Sequence, residues 1–192
     1  MGRKLGLTRD DVATAATIIA DRDGLEAATL TAVAEELGIK TPSLYNHVDG
    51  VAGLRRLLAL HGSEILLRAF EKAADRLEGA DALRAIAEAD RRFALEHPGL
   101  YASFLPAPRP EDDPELYHAM AAPVFHVAHI LLEMGIPQSE AIHLIRALRA
   151  LLHGFLDLEA KDGFGMPVEI DVSFEAAVGL VIDGIVTAAD RK

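Results

Sequence analysis

Apolar residues recur along this chain at intervals of three and four, with little strict alternation, so the pattern predicts an all-α protein of about nine helices. Residues 8–23 open it: Thr8 with Asp11 three positions on forms a capping arrangement, Val12, Ala15, Ala16 and Ile19 make an inner face, and Gly24 ends the helix. Leu30, Val33, Ala34 and Leu37 then fall at i, i+3, i+4 and i+7 behind Thr29, a cap, while Glu35 and Glu36 face water. Gly38 stops this second helix and Ile39 locks the turn. A third helix is expected over 41–48, capped by Thr41, with Pro42 at its first position and Leu44 and Val48 inward. After the turn Asp49-Gly50 a long helix begins near Val51 and runs to about Leu77. Further helices are expected over 80–97, 100–105, 114–134, 139–161 and from Ser173 onward. The proline- and acid-rich stretch 106–115 is a surface loop.

Residues 29–48 therefore read as helix, tight turn, helix. The side chains left outward are Lys40, Thr41, Pro42, Ser43, Tyr45, Asn46 and His47: hydrogen-bonding groups with one firm positive charge, a surface suited to a DNA major groove. An ordinary helical hairpin would show the same spacing.

The order LTAVAEELGIKTPSLYNHV, preceded by the 8–23 helix and the link GLEAAT, resembles the N-terminal domain of the tetracycline-repressor (TetR) family of bacterial regulators, over about the first 60 residues. The resemblance implies a three-helix DNA-binding domain over 1–50, a ligand-binding and dimerisation bundle over 51–192, and a homodimer. On it, Lys40 and Tyr45 are expected on phosphate and Ser43, Pro42 and Asn46 nearer base edges, with Thr41, His47 and Thr29 completing the surface. Two positions depart from the family pattern. Val51 stands where a phosphate-contacting Lys is usual, so that either Arg55 and Arg56 substitute or one phosphate contact is missing, and Val48 replaces a Phe. A basic N-terminal arm carries Arg3 and Lys4. A second, local resemblance lies in residues 148–165, LRALLHGFLDLEAKDGFG. It is similar to the ligand domain named for a Trp-His-Gly motif, with Leu152 in the Trp position before His153 and Gly154.

Charge refines this. The net charge is −11, but residues 1–60 hold seven cations against eight acids, so −10 of it lies beyond the DNA-binding segment. Attraction to phosphate must then come from a local patch and helix N-termini, and be salt-dependent. With no Cys there is no disulfide framework and no thiolate metal site, which fits a cytoplasmic protein. The N-terminus lacks the apolar core of a signal peptide. The most apolar run, 174–189, is interrupted by Glu175 and Asp183, so no membrane partner is expected.

The two C-terminal helices are apolar over more of their circumference than one core requires. Leu151, Phe155, Leu158, Phe174, Val178, Val181, Ile182 and Ile185 are the predicted dimer interface, with Gly179 and Gly184 permitting close approach. A pocket for a small, mostly apolar effector is expected from Phe93, Tyr101, Phe104, Tyr117, Met120, Phe125, His129, Arg146 and His153. His126, His129 and Glu133 share one helix face and could present two nitrogens and a carboxylate to a metal, yet such histidines more often pack or bind a ligand, and no metal or other cofactor is assigned. No nucleophile elbow, phosphate-binding glycine loop or spaced carboxylate pair appears, so no catalytic residues are assigned. The function expected is a ligand-responsive regulator, a repressor binding a near-palindromic operator on double-stranded DNA as a homodimer. The rival readings are a helical interaction module without DNA and a metal-binding helical-bundle enzyme built on the His cluster.

Overall fold

A computed structural model describes residues 6–104 and 107–191. Among these there are eight α-helices, two 3-10 turns and no strands: α1 (Arg9–Asp23), a 3-10 turn (Leu25–Ala27), α2 (Leu30–Glu36), a second 3-10 turn (Thr41–Asn46), α3 (Gly50–Ala74), α4 (Gly79–Glu96), α5 (Pro98–Ser103), α6 (Pro114–Glu133), α7 (Gln138–Ala160) and α8 (Ile170–Ala189). They form two compact units, one built from the chain up to residue 65 with 96–120 and one from 66–95 with the chain from 121 onward.

In the first unit the capping box at α1 is complete. Asp11 N–H donates to Thr8 Oγ1 at 3.1 Å, and Asp11 Oδ2 accepts the Thr8 N–H at 2.8 Å. The bond to Thr8 holds the Asp11 carboxyl below the ordinary carboxylate range. Val12, Ala15, Ala16 and Ile19 are buried as the pattern requires, joined by Ala13, Thr17 and Ala20. Thr29 caps α2 through the Ala32 N–H at 3.2 Å. At the other end Gly38 sits at φ +65°, and the paired bonds Ile39 N–H to Ala34 O (2.9 Å) and Gly38 N–H to Glu35 O (3.0 Å) make a Schellman motif, which satisfies carbonyls the helix end would leave orphaned.

α5 joins this unit by a contact over nearly eighty residues of sequence. The Asp21 carboxylate accepts the Gly99 N–H at 2.9 Å and the Leu100 N–H at 3.2 Å, and lies 2.8 Å from His97 Nδ1. Gly99 is required there: a Cβ would stand 2.2 Å from the backbone carbon of Ala20. Leu54, Leu57, Leu58 and Leu44 complete the core.

The second unit has its own core of Leu83, Ile86, Phe93, Leu131, Ile136, Leu148, Leu152 and Leu156 with Phe174, Val178, Ile182 and Ile185. Arg91 ties α4 to α7 and α8. Its guanidinium meets Glu159 in a bidentate pair at 3.0 and 2.6 Å and Asp171 at 2.7 Å, and lies 4.7 Å from the centre of the Phe174 ring. Phe174 in turn packs edge-on against Phe155, centroids 5.2 Å apart.

Candidate nucleic-acid interface and effector unit

The segment 41–46 departs from the expected α-helix: it is a 3-10 turn, with Lys40 at its N-cap and no side-chain capping bond, so Thr41 does not cap it. The cause is length. Only six residues separate Lys40 from His47, and their bonds run i to i+3, Ser43 N–H to Lys40 O at 2.9 Å and His47 N–H to Leu44 O at 2.8 Å. Pro42 still occupies the first turn.

Its orientation follows the expected alternation. Leu44 is fully buried and Val48 is 5% exposed, and the turn packs against α2. Lys40, Pro42, Ser43, Tyr45, Asn46 and Thr29 are exposed, Tyr45 at 59%, while Thr41 and His47 are half-buried. The exposed side chains of the turn stand above the buried Leu44 and Val48, and α2 packs against the turn.

The two arginines expected to replace the missing phosphate contact are held elsewhere. Arg55 donates to the Leu25 carbonyl and pairs with Glu26 at 3.1 Å, leaving its side chain 24% exposed. Arg56 donates to both oxygens of Asp113 and to Glu115 at 2.6 Å. In the protomer without DNA, Arg55 is thus a brace between α3 and the turn before α2. Asp113 also accepts the Leu116 N–H at 3.0 Å; with the Arg56 guanidinium first and this N–H second, its carboxyl falls to about 2. Arg3 and Lys4 lie outside the described residues.

The nine residues expected around an effector are divided between the two units. Phe93, Phe125, His129, Arg146 and His153 belong to the second unit; Tyr101, Phe104, Tyr117 and Met120 belong to the first. Phe93 and Phe104 are buried, Phe125 is 58% exposed, Arg146 is exposed, and Tyr117 stacks edge-on against His118. A depression of about 320 Å³ in the first unit, lined by Ile19, Arg22, Ala27, Ala32 and Glu36 among others, contains none of them. The His face on α6 also divides: His129 Nε2 lies 3.3 Å from Glu133, whereas His126 Nε2 is buried without a hydrogen-bond partner. Among the described residues no three potential metal ligands converge.

The predicted interface needs a second correction. Phe174, Val178, Ile182 and Ile185 are each at most 4% exposed within their own protomer, so they are core and unavailable to a partner. The other side of α8 and its neighbour carry the uncovered apolar surface: Leu180 at 79%, Val172 at 61% and, on α7, Leu158 at 47%. Leu151, Phe155 and Val181 are half-buried between. By length and composition alone α8 would pass for a membrane span, yet one stripe of it, Phe174, Val178, Ile182 and Ile185, packs as core.

Sequence reasoning missed Asp90. This acid lies in the buried stripe of α4, is 9% exposed, and burial pushes its carboxyl up to about 7 against the lowering effect of Arg149. The signal was present: seven residues after Leu83 in a helical repeat of apolar positions stands a carboxyl.

A buried helical frame presenting a short polar turn is the arrangement of a helix-turn-helix protein. Comparison with known proteins agrees with it. Residues 83–181 match the family model "Tetracyclin repressor-like, C-terminal domain". The uncharacterized HTH-type transcriptional regulator YobS of Bacillus subtilis (strain 168) is 33% identical over 189 residues, 96% of each chain. Among solved structures, a protein of unknown function from Rhodococcus sp. RHA1 superposes with TM-score 0.81 at 22% identity, covering 96% of this chain and 98% of that one. A TetR point variant from Acinetobacter baumannii AYE, in complex with minocycline, superposes with TM-score 0.71 at 21% identity, covering 96% and 99%. The chain belongs to the TetR family of transcriptional regulators.

Proposed function

We propose that this protein is a homodimeric, ligand-responsive repressor that binds a near-palindromic operator and is released from it by a small molecule held in the domain after residue 50. The observation that carries the reading is the exposed turn 41–46 on its buried Leu44–Val48 base, flanked by Thr29 at the cap of α2. Tyr45 and Lys40 reach phosphates, while Ser43, Pro42 and Asn46 meet base edges and Thr41, His47 and Thr29 border them. One such surface reads few base pairs, so two copies about 34 Å apart are needed for a specific site. The second copy is supplied by the apolar face of Leu180, Val172 and Leu158, which remains exposed on the protomer.

The effector acts by differential affinity for two states of the dimer, only one of which sets both turns on one DNA face. α3 continues from the first compact unit into the second and is the covalent path for that coupling. About 1.4 kcal/mol of coupling weakens DNA binding tenfold. Such a protein acts in the cytoplasm, beside the chromosome.

The test is fluorescence-anisotropy titration against DNA from upstream of the protein's own gene, at two salt concentrations with scrambled competitor, backed by selection from random sequence. Competitor-resistant binding that weakens with salt, and is lost in Tyr45→Ala/His47→Ala, is expected. Failure of both the upstream fragments and the selection would remove the regulator reading.

A further inference from the structure

α5 is seated on the first unit from three sides. The Asp21 carboxylate of α1 accepts the Gly99 and Leu100 N–H groups at 2.9 and 3.2 Å, donors that the start of a helix leaves without a partner of its own, and it lies 2.8 Å from His97 Nδ1. Gly99 brings the two backbones so close that a Cβ there would fall on the Ala20 carbonyl. On α3, a Cβ at Gly62 would stand 2.7 Å from Phe104 Cζ and 3.3 Å from Leu100 Cδ2, so α5 and its last side chain rest on α3 where that helix has no side chain. The third contact is with the 3-10 turn Leu25–Ala27. Arg55 grips the same turn from α3, donating to the Leu25 carbonyl and pairing with Glu26 at 3.1 Å. Only Ala28 and Thr29 separate this turn from α2, which packs against the exposed turn 41–46. A contact between backbones cannot be relieved by a change of rotamer, and a close-packed interior passes a displacement on. Moving α5 therefore moves α1 and the Leu25–Ala27 turn, and α2 with them.

We propose that Asp21 is a positioning residue for DNA recognition: by holding the start of α5 against α1 it makes α5 the seat that fixes where α2 and the turn 41–46 stand, and lifting α5 from that seat is a route to release separate from the covalent path through α3. This rests on the regulator reading above. α4 ends at Glu96 and runs into α5 through His97, so a shift of α4 pulls first on the residue beside Asp21. Asp21 is an anion and acts from behind the reading surface. Its loss therefore leaves the number of counterions displaced from DNA as it was and lowers affinity through geometry alone.

The experiment uses the full chain and an operator selected with the wild type, with urea midpoints and anisotropy titrations at two salt concentrations for each variant. Asp21→Ala removes the acceptor, Asp21→Asn keeps an oxygen for the Gly99 and Leu100 N–H groups, and Ile182→Val, in the core of the second unit, controls for lost stability. Asp21→Ala is expected to weaken operator binding about tenfold or more at an unchanged salt slope, Asp21→Asn to stay within about threefold of the wild type, and Ile182→Val to bind as the wild type does. Gly62→Ala presses on Phe104 from the α3 side while improving helix propensity, so it keeps its fold; it is expected to weaken binding about threefold or more, and it decides the matter if Asp21→Ala does not fold. Wild-type affinity in a folded Asp21→Ala, or in Gly62→Ala where Asp21→Ala fails to fold, would overturn the proposal and leave the regulator reading standing. An equal loss in Ile182→Val would overturn it too, by reducing the effect to stability. A wild type that selects no operator would overturn both readings.

Discussion

Replacing Asp90 with Asn should stabilise the protein above neutrality and abolish most of the pH dependence of its stability between about pH 4 and 7. In the folded chain this carboxyl titrates at about 7, raised from 3.8 by burial. The native state therefore still holds a proton that the unfolded chain has already released, and stability falls as pH rises through this window. A difference of about three pKa units at 1.36 kcal/mol each sets an upper figure of about 4 kcal/mol lost by about pH 8. The shifted carboxyls on the other side of the scale, Asp113 at about 2 with Asp11, Asp23 and Asp157 also lowered, change stability below this window and with opposite sign. They do not mask the effect. Urea unfolding at fixed protomer concentration measures it, because with a slope of about 2 kcal/mol/M the wild-type midpoint should drop by up to about 2 M between about pH 5 and pH 8. Asp90→Asn should match the wild type at the acid end and exceed it at the alkaline end. Parallel pH profiles for the two proteins would refute the reasoning.

Three further outcomes follow from the packing. Gly99→Ala should unfold the α1–α5 contact or cost about 1–3 kcal/mol, since its Cβ meets the Ala20 backbone, whereas Gly38→Ala, whose Cβ meets nothing, should cost only the left-handed backbone penalty of about 1–2 kcal/mol; denaturant midpoints separate the two. Arg91→Met strands Glu159, itself 12% exposed, and should cost about 3–5 kcal/mol, with Arg91→Met/Glu159→Leu recovering much of the loss in a double-mutant cycle; strictly additive losses would deny the pair. Leu180→Glu should convert the proposed dimer to monomer by light scattering while leaving helix content unchanged, and an unaltered mass would move the interface off α8.

Local chemistry was legible in the sequence wherever cause and effect lie within one turn of helix. The Thr8–Asp11 box, the Thr29 cap and the Gly38 reversal all appear at the residues that the spacing assigns. The turn at 41–46 was legible in its faces but not in its bonding, because a pattern of buried Leu44 and Val48 fits α and 3-10 geometry alike. The two sides of α8 resist separation for a related reason. A helix apolar on all sides shows the same residue types toward core and partner, and only the packed neighbours decide that Phe174 and Ile182 face inward while Leu180 does not. Arg55 and Arg56 read as free cations in the sequence because Leu25, Asp113 and Glu115, which hold them, are 30, 57 and 59 positions distant, separations at which sequence carries no geometric signal. Asp90 was readable, but only as an exception within its stripe.

With Arg55 and Arg56 withdrawn into braces, Lys40 is the one permanent cation among the eight described residues proposed to face DNA. On the proposed reading, this described surface would by itself add little hold on random duplex, since the sequence-independent part of DNA affinity comes from counterions displaced by fixed positive charges. A protein so equipped would find its target by repeated brief landings and free diffusion rather than by long sliding. Occupancy of decoy sites across a genome would stay low, and few copies per cell would suffice to keep one promoter closed.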